Sequence, residues 1–202
     1  MIFDMPQAII FDCDGTLLLS ADLHFRAMSA AAQAQGATMP ETWYMSMTGF
    51  GRHDLFTSFA QSFGLTLDIP RLAADSIALT VELAHMAKPN PPVADLARRC
   101  CGKVPIAVAT NSETEVVKSL LRATALLEQF DAIITVNDVT KPKPAPDMFL
   151  LAAQRLSTNP GYCLVLEDSD QGLDAARSAG MAALDVRSTA AENSLTRLFK
   201  VL

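Results

Sequence analysis

Residues 8–16, Ala-Ile-Ile-Phe-Asp-Cys-Asp-Gly-Thr, run an apolar stretch straight into two carboxylates and a glycine turn. The apolar part is long enough for one buried strand, and Gly15 marks its end. Asp12 and Asp14 are two residues apart, so a continued strand would point both side chains the same way. Two anions on one face repel each other and resist burial. A divalent cation relieves that cost, and Mg²⁺ takes oxygen ligands, commonly one or two carboxylates together with substrate phosphate. The same residues also make good turn chemistry, a strand ending in an Asx turn.

The rest of the chain divides by its periodicity. Ala21 to Gln35 reads as a helix closed by Gly36, and helical patterns follow at about His53–Phe63 and Leu72–Met86. No strand-like alternation interrupts residues 20–88, which therefore read as a helical insertion. Lys88-Pro89-Asn90-Pro91-Pro92 reads as a stiff connector and hinge. Beyond it, strands predicted at Pro105–Ala109, Ala132–Val136, Cys163–Leu166 and Ala182–Val186 alternate with helices at Val93–Cys101, Glu113–Ala123, Pro146–Leu156 and Asp170–Ala179. The last dozen residues read as a terminal helix. That alternation predicts an α/β fold, a Rossmann-like parallel sheet with helices on both faces. The expected domains are a core of residues 1–19 and 89–202 and a small inserted helical cap of residues 20–88. In such sheets ligands bind beyond the carboxyl ends of the strands.

Three more polar clusters fall at predicted strand ends. Thr110-Asn111-Ser112 precedes a helix, where the Thr110 hydroxyl and the following backbone N–H groups can hold a phosphate oxygen. The plainer reading makes Ser112 an N-cap with Glu115 at the capping-box position. Lys141-Pro142-Lys143-Pro144-Ala145-Pro146 is a proline-stiffened loop leading into a helix. A lysine fixed there can neutralise a phosphate and crowded carboxylates, or it can simply belong to an exposed basic loop. Glu167-Asp168 ends the third predicted core strand, and acids at a strand tip again favour a cation. Asp170 reads as an N-cap or a first-turn acid.

Composition narrows the partners. The 202 residues are half apolar and carry a net charge of −6, with no Lys/Arg-rich run, so neither nucleic acid nor an anionic membrane is an expected partner. A small phosphorylated molecule is, with the chain a monomer or weak homodimer. The four cysteines, Cys13, Cys100, Cys101 and Cys163, show neither a CxxC pair nor a disulfide framework. Met1–Pro6 has no basic region or long apolar segment, so no leader is expected and the cytoplasm is the expected location.

The four clusters together resemble the motifs of the haloacid dehalogenase superfamily of phosphohydrolases. Phe11-Asp12-Cys13-Asp14-Gly15-Thr16-Leu17 is similar to its first motif, DxDGT, and Thr110 matches the Ser/Thr of the second. Lys143 to Asp147 matches Lys-Pro-x-Pro-Asp, and Glu167-Asp168-Ser169-Asp170-Gln171-Gly172 matches EDSxxG. Lys143 to Arg187 is most similar to the fructose-1-phosphate/6-phosphogluconate phosphatases, which sit beside the β-phosphoglucomutases in a subgroup with a helical cap.

The resemblance implies roles residue by residue. Asp12 would be the nucleophile, Asp14 the general acid/base, and Thr110 and Lys143 the phosphate-binding groups, with Asn111 and Ser112 at the substrate. Mg²⁺ would be held by Asp12, the Asp14 carbonyl, Asp168 and Glu167. In the cap, His24 would lie near the substrate, and Thr48-Gly49-Phe50-Gly51-Arg52 resembles a specificity loop in which Arg52 could clasp a second anion or sugar hydroxyls. An ordinary surface histidine and a flexible turn are the plain alternatives. Leu19 stands where the family often has Asp, which concerns the hinge and entrance rather than the chemistry. No lysine occurs between Arg71 and Met86, where the mutases carry one, which favours a phosphatase. The competing readings are a β-phosphoglucomutase-type phosphotransferase and a non-catalytic binding protein on the same scaffold.

Overall fold

The computed structural model describes residues 6–201 except Thr48 and Ala190. The N-terminal residues 1–5, on which the leader expectation rests, and Thr48 of the predicted specificity loop lie outside the described residues. Five parallel strands make the central sheet. They are β1 (Ala8–Phe11), β4 (Ile106–Ala109), β5 (Ala132–Ile134), β6 (Cys163–Glu167) and β7 (Ala182–Asp185), in the order β5-β4-β1-β6-β7. A two-stranded ladder of β2 (Leu18–Leu19) and β3 (Lys88–Pro89) stands apart from it. Helices α1 (Ala21–Ala34), α2 (Glu41–Met45), α3 (Arg52–Phe63) and α4 (Ile69–Glu82) lie between β2 and β3. Helices α5 (Pro91–Cys100), α6 (Thr114–Ala123), α7 (Asp147–Arg155), α8 (Asp170–Ser178) and α9 (Ala191–Val201) alternate with the sheet strands or follow them.

The central strands β1, β4 and β6 are buried on both faces because they are apolar at every position up to Glu167 at the tip of β6. Ile9, Phe11, Ile106, Val108, Leu164 and Leu166 point to one side and pack with residues of α5, α6 and α9. Their neighbours Ala8, Ile10, Ala107, Ala109 and Val165 point to the other and pack with α7 and α8. This two-residue alternation turns one continuous apolar run into two half-cores. Helices α1, α3 and α4 close a third cluster around Met28, Ala32, Phe56, Phe59 and Leu72, with Trp43 of α2 against Phe59 at 5.3 Å between ring centres. All four cysteines are free thiols; Cys13, Cys100 and Cys163 are buried and Cys101 is exposed. No described helix is long and apolar enough to cross a membrane.

The strand and helix bounds match the sequence reading to within a few residues, with three differences. The expected connector at residues 88–92 is a β-ladder followed by the first turn of α5. Lys88 pairs with Leu19 and Pro89 with Leu18, Asn90 N–H donates to the Leu17 carbonyl at 2.9 Å, and Pro91-Pro92 supply the helix start that proline's fixed φ favours. Helix α2 is five residues long with no periodicity to reveal it. Helix α4 begins at Ile69, three residues before the expected start, because Asp68 accepts a hydrogen bond from Arg71 N–H.

Candidate active site

Asp12 follows the last residue of β1, and its backbone N–H still pairs with the Leu166 carbonyl at 2.9 Å. That bond pins its carboxylate just beyond the carboxyl edge of the sheet, beside the tips of β4 and β6. The chain then turns sharply. Leu17 and Leu18 N–H both donate to the Cys13 carbonyl, and Gly15 N–H donates to Leu18. Gly15 has φ +90°, and a Cβ there would lie 2.1 Å from Asp168 Oδ2, so only glycine fits.

Because the strand stops at Phe11, Asp14 does not share Asp12's environment as a continued strand would require. Asp14 Oδ1 accepts from Ser20 Oγ at 2.6 Å and His24 Nε2 at 2.7 Å, and Oδ2 accepts from Ser112 Oγ at 2.6 Å. Burial opposes ionisation of Asp14, but the charge and hydrogen bond of His24 and the hydroxyls of Ser112 and Ser20 outweigh it and hold the carboxyl well below the usual range. His24 is buried, so it is not an ordinary surface histidine.

Lys143 is the hub on the other side. Its Nζ donates to Asp12 Oδ1 and Glu167 Oε1, both at 2.6 Å, and lies 4.8 Å from the centre of the Phe149 ring. Lys141, by contrast, is exposed. Asn111 holds the lysine loop: its Oδ1 accepts from Lys143 N–H at 3.0 Å, while its Nδ2 donates to the Lys143 carbonyl and to that of Gly49. Its amide therefore bonds to backbone, and joins the Gly49 turn of the insertion to the lysine loop. Thr110 is buried and its Oγ1 accepts from Ser112 N–H. Ser112 does not cap α6; Glu113 stands at that position, and the Ser112 hydroxyl goes to Asp14 instead. Gly49 has φ +85° and sits against Ser169.

Asp12, Glu167 and Asp168 each offer a carboxylate oxygen, and these oxygens lie within 4.8 Å of one another. Glu167 Oε2 accepts from Asp168 N–H, Ser169 N–H and Ser169 Oγ, so with Lys143 on Oε1 the carboxylate already carries four donors. Gly172 makes room for it, since a Cβ there would lie 1.9 Å from Oε1. Asp168 accepts from Thr16 Oγ1 at 2.8 Å. Asp170 is a first-turn acid of α8 bonded to Arg187, and Ser169 is the N-cap. Burial pushes the Asp12 carboxyl well up, Glu167 and Asp168 adding to the shift and Lys143 opposing it. Burial likewise raises Asp168 to about 6; the Thr16 hydrogen bond and Lys143 oppose the rise, and the Glu167 and Asp14 charges add to it. One ammonium thus faces three crowded carboxylates, a set of hard oxygen donors that suits a divalent cation.

Arg52, at the start of α3, is buried. Its Nε donates to Glu113 Oε1 and Oε2, each at 3.1 Å, and its Nη1 to Ser76 Oγ at 3.2 Å. It is therefore the anchored end of a contact between insertion and core, and Gly51-Arg52 is not a flexible turn. The cleft between the two regions is lined by Asp12, Asp14, His24, Arg52, Lys143 and Asp168 among others.

The family model for haloacid dehalogenase-like hydrolases matches residues 6–180. The chain belongs to that family. Fructose-1-phosphate phosphatase YqaB of Escherichia coli (strain K12) is 34% identical over 187 residues, covering 92% of this chain and 99% of the relative. Beta-phosphoglucomutase of Bacillus subtilis (strain 168) is 26% identical over 189 residues, covering 89% and 83%. Among solved structures, CbbY from Rhodobacter sphaeroides in complex with phosphate superposes with a TM-score of 0.81 at 30% identity, covering 89% of this chain and 85% of that one.

The positions singled out in the sequence thus converge on one cleft, but several neighbours that organise it were not singled out. Thr16 stands in the first motif without a role of its own, Ser20 carries no signal of its own, and Glu113 reads only as the start of a helix. The run of Ser, Thr and Asn around the acids was the available signal, since short hydroxyl and amide side chains readily satisfy buried carboxylates and backbone.

Proposed function

We propose that the protein is a Mg²⁺-dependent phosphatase that hydrolyses small phosphorylated metabolites, sugar phosphates such as fructose 1-phosphate or 6-phosphogluconate, through an aspartyl phosphate on Asp12. The observation that supports it most is the division of labour between two acids. Asp12 is paired to Lys143 within the acidic cluster, while Asp14 is held apart by Ser20, His24 and Ser112. A nucleophile and a proton carrier need such different surroundings.

In this reading an Asp12 carboxylate oxygen attacks phosphorus, the bond to the sugar oxygen breaks, and Asp14 supplies the proton that oxygen takes up. Asp14 then takes a proton from the water that attacks phosphorus, releasing phosphate and restoring Asp12. Its carboxyl must therefore gain a proton as the substrate arrives. The phosphate dianion favours that gain, as does loosening of the Ser20 and His24 bonds. Lys143 and Thr110, with the backbone N–H of Asn111, bind the charge on the phosphoryl oxygens. Mg²⁺ would be held by Asp12, Asp168 and the Asp14 carbonyl, and when bound it would offset the repulsion between phosphate and carboxylate. Glu167 stands in the same cluster, and its four donors make orienting Lys143 and the Asp168 turn its main work. Residues 20–88 serve as a cap over the core of residues 1–19 and 89–202, its contacts made through Ser20, His24, Gly49 and Arg52. A cytoplasmic location suits four free thiols and a small-metabolite substrate.

Phosphate release from fructose 1-phosphate, 6-phosphogluconate and β-glucose 1-phosphate, with and without Mg²⁺, tests this reading. Mg²⁺-dependent release supports it, and inertness toward every compound overturns it. Glucose 6-phosphate formed without free phosphate would identify a mutase instead.

The acidic cluster also predicts a linked effect of pH and cation. Burial pushes the Asp168 carboxyl from its ordinary value of 3.8 up to about 6 in the folded protein. Between those values the folded state keeps a proton that the unfolded state has lost, so stability of the metal-free protein falls as pH rises through that window. A cation competes with the same proton. Saturating MgCl₂ should therefore raise the melting temperature more at about pH 7.5 than at about pH 5. Equal shifts at both values would place the cation elsewhere.

A further inference from the structure

Beyond Asp12 and Lys143 the cleft continues between insertion and core to Arg52, and what happens there bears on which substrates fit. Among the described residues lining the cleft, Lys143 and Arg52 are the two permanent cations, against the acids Asp12, Asp14, Glu113, Glu167 and Asp168. Lys143 is occupied by Asp12 and Glu167. Arg52 is occupied as well. Its side chain is 4% exposed, its Nε is shared by both oxygens of Glu113, and Nη1 is on Ser76. The Glu113 side chain is 16% exposed and lines the same cleft.

An Arg–carboxylate pair at the far wall is electrically neutral but rich in hydrogen-bonding capacity. The guanidinium keeps spare N–H donors and the carboxylate keeps spare lone pairs. Such a pair matches hydroxyl groups, each of which both donates and accepts. It does not match a second anion. A carboxylate or phosphate arriving there would have to displace Glu113 from Arg52 or lie beside its like charge, and like charges brought together in this way are the usual device for rejecting a wrong partner.

We propose that Glu113 is a specificity-determining residue that biases this site toward phosphate monoesters whose far end is an uncharged polyol, by holding Arg52 neutralised and disfavouring a second anionic group. The inference rests on the phosphatase reading above and narrows it. Within the substrate class named there, it places fructose 1-phosphate ahead of 6-phosphogluconate. Met47 and Phe50, which line the cleft nearby, offer apolar surface to the carbon skeleton.

Sorbitol 6-phosphate and 6-phosphogluconate make a matched pair of probes, because they share the same phosphate ester and differ only in an alcohol or a carboxylate at C1. The preference between them is read as a ratio of kcat/KM, or as a ratio of inhibition constants against fructose 1-phosphate turnover. Wild type should favour the polyol at least roughly tenfold. Glu113→Gln should bring the ratio to within about threefold of unity, through a lower KM or inhibition constant for 6-phosphogluconate. Glu113→Asp, which keeps the charge, should keep the preference. The ratio is independent of how much of a variant is folded, so a destabilised protein still reports. A wild-type ratio near one overturns the inference, whether both probes bind or both fail, as does a Glu113→Gln ratio equal to that of wild type. Absence of phosphate release from every ester, fructose 1-phosphate included, would instead overturn the parent reading.

Discussion

Asp12→Asn is expected to lower phosphate release by at least about 1,000-fold while leaving the fold intact. The side chain is isosteric and buried, so packing is preserved. Its amide oxygen can still accept from Lys143 Nζ, as the carboxylate does at 2.6 Å, but an amide is not a nucleophile toward phosphorus. Stability should hold or rise, because a neutral group removes one of three crowded charges and burial already disfavours the ionised form. Steady-state phosphate release together with a urea unfolding curve checks both halves. Retention of more than about a tenth of wild-type activity would mean that water attacks the ester directly and that Asp12 only helps to hold charge. Asp14→Asn gives a contrasting signature. If Asp14 protonates the leaving oxygen, esters with good leaving groups should suffer less than sugar phosphates.

Where the acidic cluster sits could be read from residues 8–16 and 163–168 because each apolar run is short and followed at once by acids. A buried run must end where charge begins, so strand tip and site coincide locally in sequence. The parallel sheet followed from the same runs, since strands buried on both faces show no alternation. What local pattern could not show was which donor meets which acid. Ser112 is a good N-cap on paper, yet its hydroxyl crosses to Asp14, 98 residues away in sequence. Asn111 sits beside the expected phosphate site, yet its amide holds the lysine loop. Arg52 reads equally well as a clasp for an anion or sugar hydroxyls, or as a turn residue, until Glu113 is found opposite it. Capping and site chemistry draw on the same Ser, Thr, Asn and Asp, so composition alone does not distinguish them. The ladder at Leu18–Leu19 and Lys88–Pro89 is two residues long on each side, too short for any periodicity to mark.

Lys143→Met should cost both activity and stability, and the pH dependence of the stability loss separates electrostatics from packing. In the wild type the ammonium lies between Asp12 and Glu167, whose charges and hydrogen bonds outweigh its own burial and raise its affinity for the proton. Methionine keeps an unbranched apolar stem of similar length and removes the charge, and with it the contact of the ammonium with the Phe149 ring. Breaking a buried pair from one side leaves uncompensated carboxylates, with a typical penalty of about 3–5 kcal/mol. Asp12 and Asp168, crowded against Glu167, would then be able to relieve the repulsion only by binding protons. An acid whose folded pKa is raised contributes stability at low pH that is lost as pH rises toward the folded value. The variant should therefore fall furthest below wild type at about pH 7.5 and approach it at about pH 5, with Mg²⁺ restoring part of the difference at the higher pH. Turnover should fall by roughly 100-fold or more at every pH, because a proton on Asp12 cannot replace a cation facing the phosphoryl oxygens. Urea unfolding at the two pH values is the measurement. A stability loss independent of pH would assign the role of Lys143 to the packing of its buried stem rather than to its charge.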